Sequence, residues 1–134
     1  MAKIALNHAT ISDTTAFNHI QYQQFDNGNW LPKTAEAIIK GNVTSTVTNV
    51  IINGKAPIVQ GDRTNENDTY TLPAGGVYTN GAHTNAQGSV TVGNSRSVFI
   101  NGKSVAIENS NVTTHAGTNC KINGGVSSTV NIGS

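Results

Sequence analysis

The side chains of this 134-residue sequence with the clearest metal-binding chemistry are four histidines and one cysteine. They are His8, His19, His83, His115 and Cys120. Only His115 and Cys120 are close in sequence, as a His-x4-Cys pair. Imidazole and thiolate are the usual ligands of tetrahedral Zn²⁺, so the pair is compatible with a structural zinc site. The competing interpretation is a buried, apolar cysteine beside a hydrogen-bonded histidine.

A catalytic interpretation finds little support among the acidic residues. The chain has seven carboxylates, and none lies in the H-E-x-x-H or H-x-E patterns of zinc hydrolases. A zinc hydrolase needs an open coordination position and a nearby general base. No G-x-S-x-G, P-loop or G-x-G-x-x-G motif is present. Cys120 and a histidine could form a nucleophile–base pair, but no local pattern favours that role. We therefore expect a protein that is not an enzyme.

The charge pattern excludes several classes of partner. Only 11% of residues are charged, the net charge is +1, and lysines and arginines form no cluster. A nucleic-acid partner is therefore not expected. No stretch reaches the roughly 18 apolar residues of a spanning helix, and the N-terminus lacks the apolar core of a signal peptide. These features predict synthesis in the cytoplasm, and the single cysteine allows no internal disulfide.

The remaining composition favours strands and turns. Thr and Val suit a pleated surface, while Asn and Gly tolerate the positive φ angles of tight turns. We therefore predict an all-β fold, and the length favours one domain over residues 1–134.

Repeated segments organise the chain. Residues 41–62 and 88–109 share the core Val-x-Ile-Asn-Gly-Lys, and a shortened copy lies within residues 122–134. Apolar residues on both sides of Asn-Gly are a strong hairpin signal, and hairpins of this size must pack on one another. We expect their Val and Ile side chains to fill the interior. A weaker echo places residues 5–19 over residues 106–120, so that His19 aligns with Cys120.

Two segments interrupt the repeats. Residues 20–40 read as an insertion made of a strand, a turn at residues 26–29 and one helical turn at residues 34–39. Residues 63–87 read as a polar surface loop that contains His83. Trp30 and Tyr22, in the insertion, are expected to serve core or inter-element packing.

The repeat core resembles that of the PAAR family. The resemblance rests on VFINGKSVA at residues 98–106 and on NVIINGKAP at residues 49–57, which is followed by Gly-Asp-Arg-Thr at residues 61–64. It covers residues 41–62 and 83–134 well, residues 1–19 loosely, and residues 20–40 and 63–82 not at all. The Pro-Ala-Ala-Arg signature is degenerate in both copies, and Glu108-Asn109 replaces the Gly-Asp in the second.

The resemblance implies a short β-cone with pseudo-threefold hairpins and a metal-pinned apex. In this family the metal is usually zinc, with iron as another possibility, and it is held by three histidines and a cysteine. Carried over to this sequence, the ligands are His83, His115, Cys120 and a fourth histidine. His19 is the choice for the fourth because it aligns with Cys120 in the echo, and His8 is the alternative.

The resemblance also implies a mechanical function. PAAR-like proteins cap the trimeric β-helical spike of type VI secretion systems, contractile phage tails and related injection particles, with one tip per trimer. The tip sharpens the spike, contacts the target membrane mechanically, and leaves the cell as part of a virion tail or injection particle. Some apolar surface, involving Leu6 or Trp30, is expected to remain for the spike.

One alternative of a different class is a small carbohydrate- or receptor-binding β module of a phage tail or secreted particle. In that case Trp30, Tyr22 and the Asn-rich loops would form the binding surface.

Overall fold

A computed structural model describes residues 2–132, without the side chain of Arg96, and confirms the all-β prediction. None of the residues it describes lies in a helix. The strands are β1 (Ala2–Ala5), β2 (Ala9–Thr10), β3 (Thr14–Asp26), β4 (Asn29–Thr44), β5 (Arg63–Thr69), β6 (Val77–Asn80), β7 (Ser89–Ile100), β8 (Lys103–Thr113), β9 (Asn119–Lys121) and β10 (Val126–Ile132).

The strands form one open antiparallel sheet in the order β10-β1-β8-β7-β5-β4-β3-β6. The short strands β2 and β9 pair outside this path, with β4 and β8 respectively. Two hairpins dominate the sheet, β3–β4 and β7–β8, and β5 lies between them. This central position of β5 matters for the site described below.

Three Asn-Gly pairs form the same kind of turn. The φ angles are 49° and 83° at Asn27–Gly28, 52° and 80° at Asn53–Gly54, and 53° and 78° at Asn101–Gly102. Positive φ at both central residues is the signature of the two-residue hairpin turn whose twist matches the strands. The Asn-Gly hairpins predicted in the two repeats are therefore present, and so is the turn predicted at residues 26–29.

The repeat copies nevertheless differ in extent. The second copy is the long hairpin β7–β8. The first closes only a minimal hairpin, in which the Ile52 N–H and the Lys55 N–H each donate to the other residue's carbonyl at 2.8 and 3.0 Å. The third copy is β10, which pairs with β1 at the edge of the sheet.

Both interruptions of the repeats contain strands that the sequence analysis missed. Residues 34–39 belong to β4, where they pair antiparallel with β3, so the predicted helical turn is wrong. Residues 63–87 are not simply a loop, because they contain β5 and β6. Pairing with neighbouring strands determines the conformation of both segments. The propensity of a segment's own residues does not reveal such pairing.

The interior consists of two apolar clusters. The main cluster is built from Ala5, Ala9, Ile11, Val43, Ile58, Val90, Ala106, Val112, Cys120 and Ile122. The second, here called the Val-x-Ile cluster, has a buried centre of Ile4, Leu6, Val47, Val59 and Val105. Partly buried Val50, Ile52, Ala56, Val98, Ile100, Val130 and Ile132 pack against that centre. Each of the three repeat copies thus contributes its Val and its Ile to one cluster.

The outcomes for the predicted exposed and packed residues are mixed. Leu6 is buried in the centre of the Val-x-Ile cluster, so it offers no surface to a partner. Tyr22 is buried as expected, whereas Trp30 is 53% exposed and does not pack inside.

Candidate metal centre

Four side chains from distant parts of the chain meet at one point of the sheet. They are His19, Asp68, His83 and His115, and one ligand-type atom from each lies within 4.8 Å of the others. The three imidazole rings also contact one another, with centroids 4.9–5.5 Å apart. This group, which we call the histidine centre, could bind a metal ion.

Strand β5 supplies the acidic residues. Its side chains alternate, so that Thr64, Glu66 and Asp68 point inward and Asn65 and Asn67 point outward. Both the Glu66 and Asp68 side chains are fully buried. An inward face of a hydroxyl and two carboxylates is unusual for a central strand, because buried charges are costly unless they are paired or bind a metal.

His83 is positioned by the segment that runs back along β5. The Asp68 N–H donates to the His83 carbonyl at 3.0 Å, and the His83 N–H donates to Asp68 Oδ2 at 2.8 Å. Further along, Glu66 and Ala86 exchange backbone hydrogen bonds of 2.8 and 2.9 Å. The backbone therefore fixes His83 opposite Asp68.

His19 reaches the centre because β3 is irregular there. The pairing of β3 with β4 shifts between Ala16 and Ile20, and Asn18 has a φ of 55°. Between these two positions β3 has two more residues than the facing part of β4, and extra residues of this kind re-aim the side chains next to them. The chain also passes close to His19 at Gly81, where φ is 107° and an added Cβ would meet the His19 carbonyl oxygen.

His115 lies in the tight turn between β8 and β9. The Thr114 N–H donates to the Thr118 carbonyl at 2.8 Å, and the Gly117 N–H donates to the Thr114 carbonyl at 3.0 Å. Its backbone N–H and its Nδ1 both contact Glu66 Oε1, at 2.9 and 2.6 Å. The turn and Glu66 together direct the other ring nitrogen, Nε2, towards the centre.

Asp68 is the hub of the contacts. Its Oδ2 lies 2.9 Å from His19 Nε2 and 3.0 Å from His83 Nδ1. Burial by itself would raise the pKa of the Asp68 carboxyl, but the hydrogen bonds from His83 and His19 and the nearby His115 outweigh it, so the pKa is lowered. Asp68 is therefore held as a carboxylate, the form that ligates metals.

Two polar atoms at the heart of the group have no hydrogen-bond partner. His115 Nε2 and Asp68 Oδ1 lie 3.1 Å apart, close enough for an ion pair. They are nevertheless both buried without a hydrogen bond, so their alignment does not suit a proton shared between them. Buried unsatisfied polar atoms are rare and call for an explanation such as an ion. A cation bound by both atoms would satisfy them together.

Exposure differs between the ligand candidates. The side chains of His19 and His115 are 15% and 9% exposed, whereas that of His83 is 50% exposed. The centre is thus enclosed by β3, β5 and the β8–β9 turn and reaches solvent beside His83. Three imidazoles and one carboxylate are a donor set that suits a divalent transition metal such as zinc or iron.

The remaining predicted ligands lie elsewhere. Cys120 is 7% exposed within the main apolar cluster, where burial and the charge of Glu66 raise the pKa of its thiol to about 11. His8 is exposed, with a φ of 70°, in the connection between β1 and β2. The structure thus brings together His19, His83 and His115 from the sequence analysis, and neither Cys120 nor His8 joins them.

Neither Asp68 nor Glu66 was among the predicted ligands. The signal was the alternation of Thr64, Glu66 and Asp68, which places three polar side chains on one face of a strand. That signal was hidden because the segment looked like a polar loop.

Comparisons with known proteins add no relative: no protein-family model, curated sequence or solved structure matches the chain. Among residues 2–132 there is also no helix that is long and apolar enough to cross a membrane.

Proposed function

We propose that this protein is a non-enzymatic, metal-stabilised tip that caps the trimeric spike of a contractile injection machine. The sequence support is the resemblance of the repeats to the PAAR family. The structural support is an all-β body whose repeat copies share one apolar cluster, together with a centre that could hold a metal. The proposed function has two parts, a bound metal ion and a partner protein with three-fold symmetry.

The first part is a divalent metal ion, zinc by preference and iron as the alternative, bound by His19, His83, His115 and Asp68. One observation carries this assignment: His115 Nε2 and Asp68 Oδ1 face each other at 3.1 Å, buried and without a hydrogen bond. In this ligand set Asp68 takes the place that the family resemblance gave to Cys120. When bound, the ion would cross-link the chain segments that carry these four ligands.

The ion would be structural because the protein itself provides four ligands. Structural zinc sites are closed by four protein ligands, whereas catalytic sites keep a position open for water or substrate. An ion here would tie together β3, β5, the segment preceding β7 and the β8–β9 turn. Such a link opposes local opening of the connections between strands, which suits a part that must stay rigid under load.

The second part is a partner with three-fold symmetry that docks on the Val-x-Ile cluster. Three Val–Ile pairs from three repeat copies are only partly buried there. The copies are also linked side by side. Asn53 Nδ2 donates to Thr129 Oγ1 at 2.9 Å, and the side-chain amides of Asn49 and Asn101 contact at 3.3 Å. Three similar apolar ridges on a single chain would match three equivalent subunits below it.

A second candidate function, binding of a carbohydrate or receptor, is favoured by a different surface. Phe25 and Trp30 face each other at the end of the β3–β4 hairpin, with ring centroids 5.4 Å apart, and they are 57% and 53% exposed. Exposed aromatic rings at a hairpin tip suit a binding surface. A glycan array hit that is lost in Trp30→Ala, without any binding to a spike, would favour this candidate over the tip.

Metal analysis tests the first part. Purified protein should contain about one equivalent of zinc or iron, and Asp68→Asn should lose it whereas Cys120→Ala should keep it. Cys120 is the matched control because it was the other candidate for the fourth ligand. Loss of the metal in Cys120→Ala with retention in Asp68→Asn would contradict the ligand set.

Co-expression tests the second part. The chain and the spike protein encoded beside it should co-purify as a complex of three spike chains and one tip. Substitution of Ile52 and Ile100 by Asn should abolish the complex, whereas Trp30→Ala should leave it intact. A genome context without sheath, tube and baseplate genes would contradict the injection role.

A further inference from the structure

We propose that Glu66 is a positioning residue of the metal centre, which holds the His115 ring in the one tautomer and orientation that present Nε2 to the ion. This inference rests on the metal site proposed above. Glu66 is not in the group of atoms that would contact the ion. It acts through His115.

The hydrogen bonds around Glu66 have a fixed direction. Gly88 N–H donates to Thr64 Oγ1 at 2.6 Å, and the Thr64 hydroxyl in turn donates to Glu66 Oε2. The other oxygen, Oε1, accepts the backbone N–H of His115 at 2.9 Å. Both carboxylate oxygens are thus acceptors, and a carboxylate has no proton to donate.

The direction at the ring follows from this. His115 Nδ1 lies 2.6 Å from Glu66 Oε1, and beside a carboxylate oxygen the ring nitrogen is the donor, so we infer that Nδ1 carries the proton. In the neutral ring the proton on Nδ1 leaves Nε2 with its lone pair free. That free nitrogen is the atom found buried without a hydrogen bond beside Asp68 Oδ1. Metal-binding histidines in general donate their second ring N–H to a carboxylate or carbonyl in this way.

The surroundings of Glu66 are shaped to hold it. Gly41 lies opposite Glu66 in the pairing of β4 with β5, and a Cβ there would come within 3.1 Å of Glu66 Cγ. A Cβ on Gly88 would come within 2.6 Å of Glu66 Oε2. Two positions without side chains therefore make room for one buried carboxylate.

Charge balance is consistent with an outer carboxylate. The side chains of Glu66 and Asp68 are both fully buried. Buried charges must be paired or bind a metal. The charges of two carboxylates and one divalent cation sum to zero. Asp68 alone would neutralise half of the charge of the ion, and Glu66 neutralises the other half. The pair thus favours a divalent over a monovalent ion.

Zinc affinity of Glu66→Gln is the main test, measured by competition with a chromophoric chelator. Gln keeps the size and one acceptor oxygen but removes the charge, and we expect affinity to fall about 10- to 100-fold. Asp62→Asn is the matched control. Asp62 is equally buried and accepts hydrogen bonds from Thr46 Oγ1 and the Val59 N–H, not from a histidine. Its zinc affinity should not change.

A second measurement uses the unmodified protein and does not depend on a variant that folds. Long-range proton–nitrogen correlation spectra should place the His115 proton on Nδ1, both before and after one equivalent of zinc. A proton on Nε2 in the metal-free protein, or zinc bound to Nδ1, would overturn the role of Glu66.

The two proposals fail in different ways. If the unmodified protein binds neither zinc nor iron, the metal site itself is wrong and Glu66 positions nothing. If it binds one zinc and Glu66→Gln binds zinc equally well, only the role of Glu66 is wrong.

Discussion

In the Val-x-Ile cluster three repeat copies are held together by aliphatic side chains, whereas in the histidine centre four segments meet through imidazoles and carboxylates. The first region gains free energy simply by removing apolar surface from water, about 25 cal/mol per Å². The second, with Glu66 beside it, removes two carboxylates from water, which costs free energy unless partners compensate it.

The two regions differ in what they need from outside the chain. The aliphatic cluster needs no ion, although several of its Val and Ile side chains are only partly buried. The histidine centre leaves two buried polar atoms unsatisfied. We therefore expect the first region to be insensitive to chelators and the second to depend on a metal.

The largest effect is expected at Asp68. Asp68→Asn removes the negative ligand and the hydrogen-bond acceptor shared by His19 and His83. In zinc-saturated protein the free energy of unfolding should fall by about 5 kcal/mol or more, measured by urea denaturation. Pretreatment with a chelator should remove most of the difference from the unmodified protein.

The control for that variant is Asp13→Asn. Asp13 pairs with Lys40 at 2.7 Å, but their side chains are 53% and 57% exposed. The stability change should be about 0.5 kcal/mol or less. An equally small change in Asp68→Asn would remove the contrast between the two regions.

The next effect concerns the centre of the Val-x-Ile cluster. Leu6 is 5% exposed, and Leu6→Ala should cost about 3 kcal/mol through lost burial and the cavity left behind. Zinc content and affinity should stay unchanged. The control Ile51→Ala, at a side chain that is 64% exposed, should cost about 0.5 kcal/mol or less. Loss of zinc in Leu6→Ala would mean that the two regions are not independent.

A smaller effect tests whether Cys120 belongs to the apolar interior or to the centre. Burial and the charge of Glu66 raise the pKa of the Cys120 thiol from 9.0 to about 11. The folded protein then holds a proton that the unfolded chain releases, so stability falls as the pH rises from 9 to 11. The loss should reach about 2 kcal/mol at pH 11 relative to Cys120→Ala.

Thiol labelling gives the independent check of that assignment. At pH 8 a buried, protonated thiol should react with iodoacetamide far more slowly in the folded than in the denatured protein. Fast labelling of the native, zinc-loaded protein would contradict the placement of Cys120. Labelling that becomes fast only after chelation would instead indicate a ligand role.

The two regions also differ in how much of them the sequence could predict. The Asn-Gly turns and the Val-x-Ile repeats were predictable because a positive φ and an apolar repeat are local properties. Three of the four residues in the histidine centre were named from residue type and family resemblance. Asp68 and Glu66 were missed because they lie on a polar strand, β5, whose pairing is not evident from its own residues.

Non-local structure explains the other failures. The shift in β3 pairing that directs His19 inward depends on its register with β4. Residues 34–39 form a strand because they pair with β3, although their own composition was compatible with a helical turn. Cys120 was named as a ligand from its residue type and the family resemblance, yet β9 places its side chain among aliphatic residues. Such outcomes depend on partners far away in sequence.

The smallest effect compares the two repeat turns with each other. Gly54 and Gly102 have φ angles of 80° and 78°, and nothing lies within 4 Å of an added Cβ at either position. Substitution by Ala should therefore cost only the left-handed backbone strain, about 1 kcal/mol at each site. The costs should be equal if the turn alone decides them. A clearly larger cost at Gly102, read from paired urea denaturation curves, would mean that strain there is transmitted along β7 and β8. The minimal hairpin around Gly54 has no strands of comparable length to transmit it.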